Sequence, residues 1–149
     1  MITVTMATVI DSKADRVWRA LTDPDEIVAW DERMLAPADD LSRYPFSGQH
    51  VRWRYRLGSV QLVMHDRPLE IDPPRRLRSR INTGSMGYER TFNLQPESPQ
   101  RTRLSMRLVS PNSIPLLGES IDRFDVRQMS TEQVDSTLHA VQKWCEENP

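Results

Sequence analysis

Two ionisable residues fall where the hydrophobic pattern calls for apolar ones. Arg90 sits in the phase of Tyr88, Phe92 and Leu94, and Asp66 continues the phase of Val60, Leu62 and Met64. An inward charge is costly without a partner. A guanidinium so placed can anchor a carboxylate or carbonyl oxygen on an otherwise apolar molecule. With Asp66, Tyr55 or Tyr88 beside it, it can also orient a carbonyl or shuttle a proton. A bulge near Pro68 would instead turn Asp66 outward and leave Arg90 near a rim.

Other chemistry has weaker support. His50, His65 and His139 show no two-histidine metal spacing, and His65 lies on the outward parity, so no metal is expected. Cys145 falls on the buried stripe of the last helix, the place of a small packed hydrophobe rather than an activated thiol. The five glycines are dispersed at turns and form no phosphate-cradling loop, so no cofactor is expected. No catalytic residue stands out.

The elements that must position Asp66 and Arg90 follow from periodicity. Ile2, Val4, Met6 and Ile10 share one parity of a half-buried strand. Ser12 with Asp15 reads as a capping box, predicting a helix over 13–21 with Ala14, Val17, Trp18 and Leu21 buried. Asp23, Pro24 and Glu26 start a second short helix carrying Ile27 and Trp30. Residues 31–48 lack periodicity apart from an edge strand near Met34 to Ala36. Their length and Pro, Asp and Gly content predict a mobile connection bordering a cavity entrance, with Tyr44 and Phe46 available to close it.

Strand signals then resume. Val51, Trp53, Tyr55 and Leu57 alternate with His50, Arg52, Arg54 and Arg56, and Gly58-Ser59 fits a two-residue hairpin. Val60, Leu62 and Met64 lead on to about Ile71, where Asp72-Pro73-Pro74 breaks the strand. Leu77, Ser79, Ile81 and Thr83 form the next strand, Met86 to Leu94 another, and Leu104, Met106 and Leu108 the last of seven. Ile114, Leu117, Ile121 and Phe124 fit one helical stripe. Ser130 with Gln133 caps a second segment, whose stripe is Val134, Leu138, Val141 and Cys145 with Trp144 beside it.

The 149 residues suffice for one domain, and the net charge of −1 exerts no global pull toward nucleic acid or membrane. With no signal-peptide or membrane-spanning apolar run and a single cysteine, a cytoplasmic protein is expected.

The stretch Ser12 to Trp30 (SKADRVWRALTDPDEIVAW), the strand end Leu69 to Leu77 (LEIDPPRRL) and the long terminal helix together resemble the SRPBCC superfamily, which includes START lipid-binding domains, birch-pollen-allergen-like proteins and polyketide cyclases. The resemblance covers almost the whole chain. It implies an α+β helix-grip fold: a seven-stranded curved antiparallel sheet wrapped around the C-terminal helix, two short helices after the first strand, and a cavity between sheet and helix. It carries no universal catalytic residue. In that fold the strands of Asp66 and Arg90 flank the one carrying Ser79. This places the two side chains about 10 Å apart, where a ligand carboxylate or a water chain can bridge them.

If the apolar phases point inward, Trp53, Tyr55, Leu62, Met64, Ile81, Tyr88, Phe92, Met106 and Leu108 line the sheet side. Phe124, Val134, Leu138 and Val141 then face them from the helix. Such a wall suits a lipid, a polyketide, or an aromatic or isoprenoid ligand; an ordinary packed core is the plainer reading of each residue. Arg52, Arg54, Arg56, Arg78, Arg80, Arg103 and Arg107 form a basic band on the outer face, interleaved with Glu70 and Glu89. That band reads as solvated surface, without nucleic acid as partner. Binding or transport of a hydrophobic small molecule is therefore the first expectation. A polyketide aromatase or cyclase is the second, a protein-interaction module the third, and a homodimer is left open.

Overall fold

The computed structural model describes residues 1–84, 86–111, 114–116, 119–121 and 123–149. Strand β1 (Ile2–Ile10) is followed by helices α1 (Ala14–Thr22) and α2 (Pro24–Trp30). Strands β2 (Met34–Pro37), β3 (Val51–Leu57), β4 (Val60–Asp72), β5 (Arg76–Thr83), β6 (Met86–Ser98) and β7 (Arg101–Ser110) come next. A small hairpin of β8 (Ile114–Leu116) and β9 (Glu119–Ile121) precedes the long helix α3 (Arg123–Glu147). The seven long strands form one antiparallel sheet in the order β1-β7-β6-β5-β4-β3-β2, the α+β helix-grip architecture.

Strict alternation produces the two sheet faces. In β3, Val51, Trp53 and Tyr55 are buried while Arg52, Arg54 and Arg56 are exposed. The Leu57 to Val60 connection is the two-residue hairpin expected from sequence, and Gly58 supplies its positive φ of 61°. α3 lies on the inner face. Its Val126, Val134, Leu138, Val141 and Cys145 pack against Ile2, Ile10, Leu104, Met106 and Leu108. A second apolar cluster gathers around Trp53, which is fully buried, with Ile27, Met34, Leu41, Tyr44 and Met64.

Local readings at the helix starts need correction. Ser12 does not cap α1: the cap position is Lys13, which contributes no side-chain bond, while the Ser12 carbonyl accepts from the buried Thr102 hydroxyl at 2.8 Å. Asp23 does cap α2, its carboxylate accepting from the Asp25 N–H at 2.9 Å. Ser130 begins no helix. It lies inside a continuous α3, where the neighbouring Thr131 hydroxyl donates to the Arg127 carbonyl one turn back at 2.8 Å, an alternative outlet for residues that otherwise cap. The stripe expected over Ile114 to Phe124 is not one helix: paired strands occupy 114–116 and 119–121, and Leu117 lies outside the described residues.

Glu26 pins the three helices together. Its carboxylate meets Arg16 at 2.7 Å and Arg19 at 2.9 Å and accepts from the Trp144 indole N–H at 2.7 Å. Burial would raise its pKa, but the bonds from Trp144 and Arg16 outweigh that, so it lies below the ordinary 4.5. A depressed carboxylate stabilises the fold at pH above its unfolded pKa, and that contribution is lost as pH falls through the folded value. Glu26→Gln is therefore expected to cost about 1 to 2 kcal/mol at neutral pH and to flatten the acid limb of the stability curve. Urea melts across pH check this; a difference from wild type that persists undiminished in acid would show that the carboxylate charge is not the source.

Candidate functional site

The seam between the two apolar clusters holds a cavity lined by Trp53, Tyr55, Met64, Asp66, Tyr88, Arg90, Phe92 and Met106 from the sheet, with Tyr44, Trp30, Asp31, Gln133 and Thr137 closing it. Its free volume is about 20 Å³. That is room for roughly one water molecule.

Asp66 points inward and is 1% exposed. The bulge anticipated near Pro68 exists, between Pro68 and Glu70, but it lies beyond Asp66 along β4 and leaves the phase at 66 intact. One carboxylate oxygen, Oδ2, accepts from the Tyr44 hydroxyl at 2.6 Å and the Trp53 indole N–H at 3.3 Å. The other, Oδ1, is buried with no partner. Burial raises the Asp66 pKa above the ordinary 3.8, opposed by the Arg90 charge and the Tyr44 and Trp53 bonds. Two strands away Arg90 also faces inward. Its Cζ stands 5.0 Å from the Phe92 ring centroid, and its Nε–H is buried and unpartnered. Asp31, whose pKa is likewise raised by burial, feels the Arg90 charge from the opposite wall.

A carboxyl with a raised folded pKa stabilises the protein fully below its unfolded pKa and loses that contribution as pH rises through the folded value. The Asp66 side-chain carbon is therefore expected to titrate above 3.8 in a carbon-13 NMR titration. A midpoint at or below that value would mean that Arg90, Tyr44 and Trp53 outweigh burial.

Gln133 donates to the Tyr88 hydroxyl at 3.1 Å and divides the interior in two. Beyond this bond a second void of about 50 Å³ is walled by Leu57, Met86, Leu108, Val126 and Met129, with the unpartnered Thr83 and Ser110 hydroxyls at its edge. Burial pushes the Tyr55 hydroxyl, which borders both voids, up to about 12.

Not every expected site residue reaches the cavity. Ser79 and Ile81 are fully buried, and Leu138 and Val141 are buried in the helix stripe, but all four pack into the core beside it. Leu62 is only half-buried near the β3–β4 hairpin and lines neither void. The Phe124 side chain lies outside the described residues. Tyr44, expected to close the entrance, does line the cavity, while Phe46, expected beside it, is exposed; sequence reasoning missed Asp31, Gln133 and Thr137 as wall residues.

The sequence matches the family described as polyketide cyclase / dehydrase and lipid transport, over residues 1–144. The chain belongs to this family. A polyketide cyclase/dehydrase and lipid transport family member is expected to share its fold widely, and solved structures bear that out. A START superfamily protein from Mycobacterium smegmatis superposes with a TM-score of 0.82 at 12% identity, covering 99% of both chains. A Mesorhizobium loti protein gives 0.76 at 18% identity, again covering 99% of both. DynU16, from the dynemicin biosynthetic locus, gives 0.70 at 17% identity, covering 97% of this chain and 47% of its own. At such identities the likeness establishes the fold alone. A search of curated proteins returned no match.

Elsewhere on this family member, burial pushes the Cys145 thiol up to about 11, far from a nucleophile's range. The basic band on the outer face is partly neutralised, Arg52 by Asp39 at 2.7 Å and Arg78 by Glu89 at 2.8 Å. His50 and His65, separated by 15 residues, are brought together by the β3–β4 hairpin with ring nitrogens 2.8 Å apart. Among the described residues no third His, Cys, Asp or Glu joins them in a metal-binding group. No described helix is long and apolar enough to cross a membrane.

Proposed function

We propose that this protein binds a small hydrophobic molecule between the sheet and α3, with Arg90 and Asp66 as its polar anchor. One observation carries the reading. A buried donor, Arg90 Nε–H, and a buried acceptor, Asp66 Oδ1, both lack protein partners and border the same cavity, whose wall mixes aromatic and methionine side chains with polar ones. Buried polar atoms are nearly always satisfied. A ligand oxygen on Arg90 and a ligand hydroxyl on Asp66 would satisfy both, and the aromatic and methionine walls suit a lipid, a polyketide or an aromatic body. The resting void is too small for such a molecule, so binding must enlarge it. Opening the Gln133–Tyr88 bond would join the voids of about 20 and 50 Å³, and the walls must still move apart, since a small-molecule pocket needs about 300 Å³ or more.

The same geometry favours a second reading, a cyclase-type enzyme. Burial favours the neutral form of Asp66, whose free oxygen Oδ1 is the place for a proton, and the Tyr44 hydroxyl lies 2.6 Å from Oδ2. Protonated Asp66 and Arg90 would then each donate to an oxygen of the bound molecule and polarise it, while Tyr44 relays the proton. Native mass spectrometry of protein purified from its own host tests the binding reading. A retained apolar molecule that is lost in Arg90→Leu is the expected result; a ligand retained equally by both proteins would exclude Arg90 as the anchor. Conversion of that molecule on incubation with fresh protein would select the enzyme.

A further inference from the structure

A groove of about 450 Å³ runs over the surface between the α2–β2 turn and the C-terminal half of α3. It shares three wall residues, Trp30, Asp31 and Thr137, with the interior cavity, so the two spaces are separated by a single layer of side chains. We infer that this groove is an outer subsite for a flat apolar ligand and the route by which that ligand reaches the interior, with Arg33 as its latch. The inference rests on the binding function proposed above and adds the path and its gate.

The chemistry of the walls supports an aromatic guest. Trp30 donates its indole N–H to the Ala20 carbonyl at 2.7 Å, and Trp144 donates its own to Glu26 at 2.7 Å. Both indoles line the groove with their N–H groups already engaged, so ring carbon is what they can offer an aromatic guest. Ala29 on α2 and Ala140 on α3 line it with small side chains. Charged side chains of both signs, among them Asp31, Glu147 and Lys143, border the groove.

One side-chain bond crosses the groove, from Arg33 Nη2 to the Ser136 hydroxyl at 3.1 Å. It joins exposed groups, so it costs little to break. Thr137, the next residue on α3, belongs to the wall shared with the interior. Releasing the bond detaches the Arg33 side chain from α3, while the Arg33 carbonyl still accepts from the Arg56 N–H at 2.8 Å and the Glu26 cluster still holds α2 to its neighbours.

The test is stopped-flow binding of 1-anilinonaphthalene-8-sulfonate, an aromatic anion that fluoresces in apolar surroundings. Arg33→Ala is expected to bind and release the probe several-fold faster at nearly unchanged affinity. Ala140→Trp, which fills the groove from the outer side of α3, is expected to slow association roughly tenfold. Arg90→Leu is expected to weaken binding without altering the effects of the groove variants. Should Ala140→Trp fail to fold, the exposed Ala29→Trp replaces it. Binding that responds to Arg90→Leu but whose rates ignore both groove variants would overturn the route and leave the binding function standing. Groove-sensitive binding indifferent to Arg90→Leu would confine the probe to the surface and likewise overturn the route. Absence of saturable binding by the wild type would overturn both readings.

Discussion

Leu138→Asp is expected to lower stability by about 4 kcal/mol, because it places an unpaired carboxylate inside the apolar packing between helix and sheet. Leu138 is 4% exposed and sits in the cluster formed with Val134, Val141 and the inner face of β1 and β7. A domain of this size has only about 5 to 15 kcal/mol of total stability, so the variant should be partly unfolded at physiological temperature. Chemical denaturation measures the effect directly. An unchanged unfolding midpoint would remove α3 from the core and with it the helix-grip description of the interior.

The second large effect belongs to Arg90. Arg90→Leu should weaken binding of a ligand bearing a carboxylate or carbonyl oxygen by about 1.5 to 3 kcal/mol, the worth of a hydrogen bond to a charged group. The fold should survive, since leucine suits the phase of Phe92 and Leu94, both of which are buried. Asp66 loses its nearest cation in this variant and its pKa should climb further. Calorimetry with the native ligand, together with a thermal melt, separates the two consequences. Equal affinities at equal stability would leave Arg90 a structural residue.

Much of the fold was legible because alternation and helical periodicity are local signals. The strand phases of β3, β5 and β6 follow from a few residues each, and the inward turn of Asp66 followed from its parity with Met64. What escaped were features that depend on closure. Tyr44 lies in a stretch without periodicity, flanked by Pro37 and Pro45, and only the folded loop carries its hydroxyl to Asp66. Gln133 and Thr137 do have a pattern: with Ala140 and Trp144 they form a helical line one step beside the buried stripe, the line that meets the cavity and the groove. Its mixed polarity concealed it from a search for apolar faces. The start of α3 was misplaced for a related reason, since Ser130 carries the residue type of a cap but has helix on both sides. His50 and His65 met because a hairpin register, not a sequence interval, sets their distance.

The partition between Tyr88 and Gln133 gives the interior a threshold. If the two voids together form the binding cavity, each must widen to admit a guest: a compact one that widens a single compartment leaves the partition intact, whereas a longer one must open it and forgo that bond. Discrimination by molecular length then resides in a single amide on α3 rather than in the many residues of the wall. One substitution at position 133 would reset the ruler without disturbing the sheet. A scaffold whose selectivity is that separable from its architecture can change guests rapidly while keeping its shape.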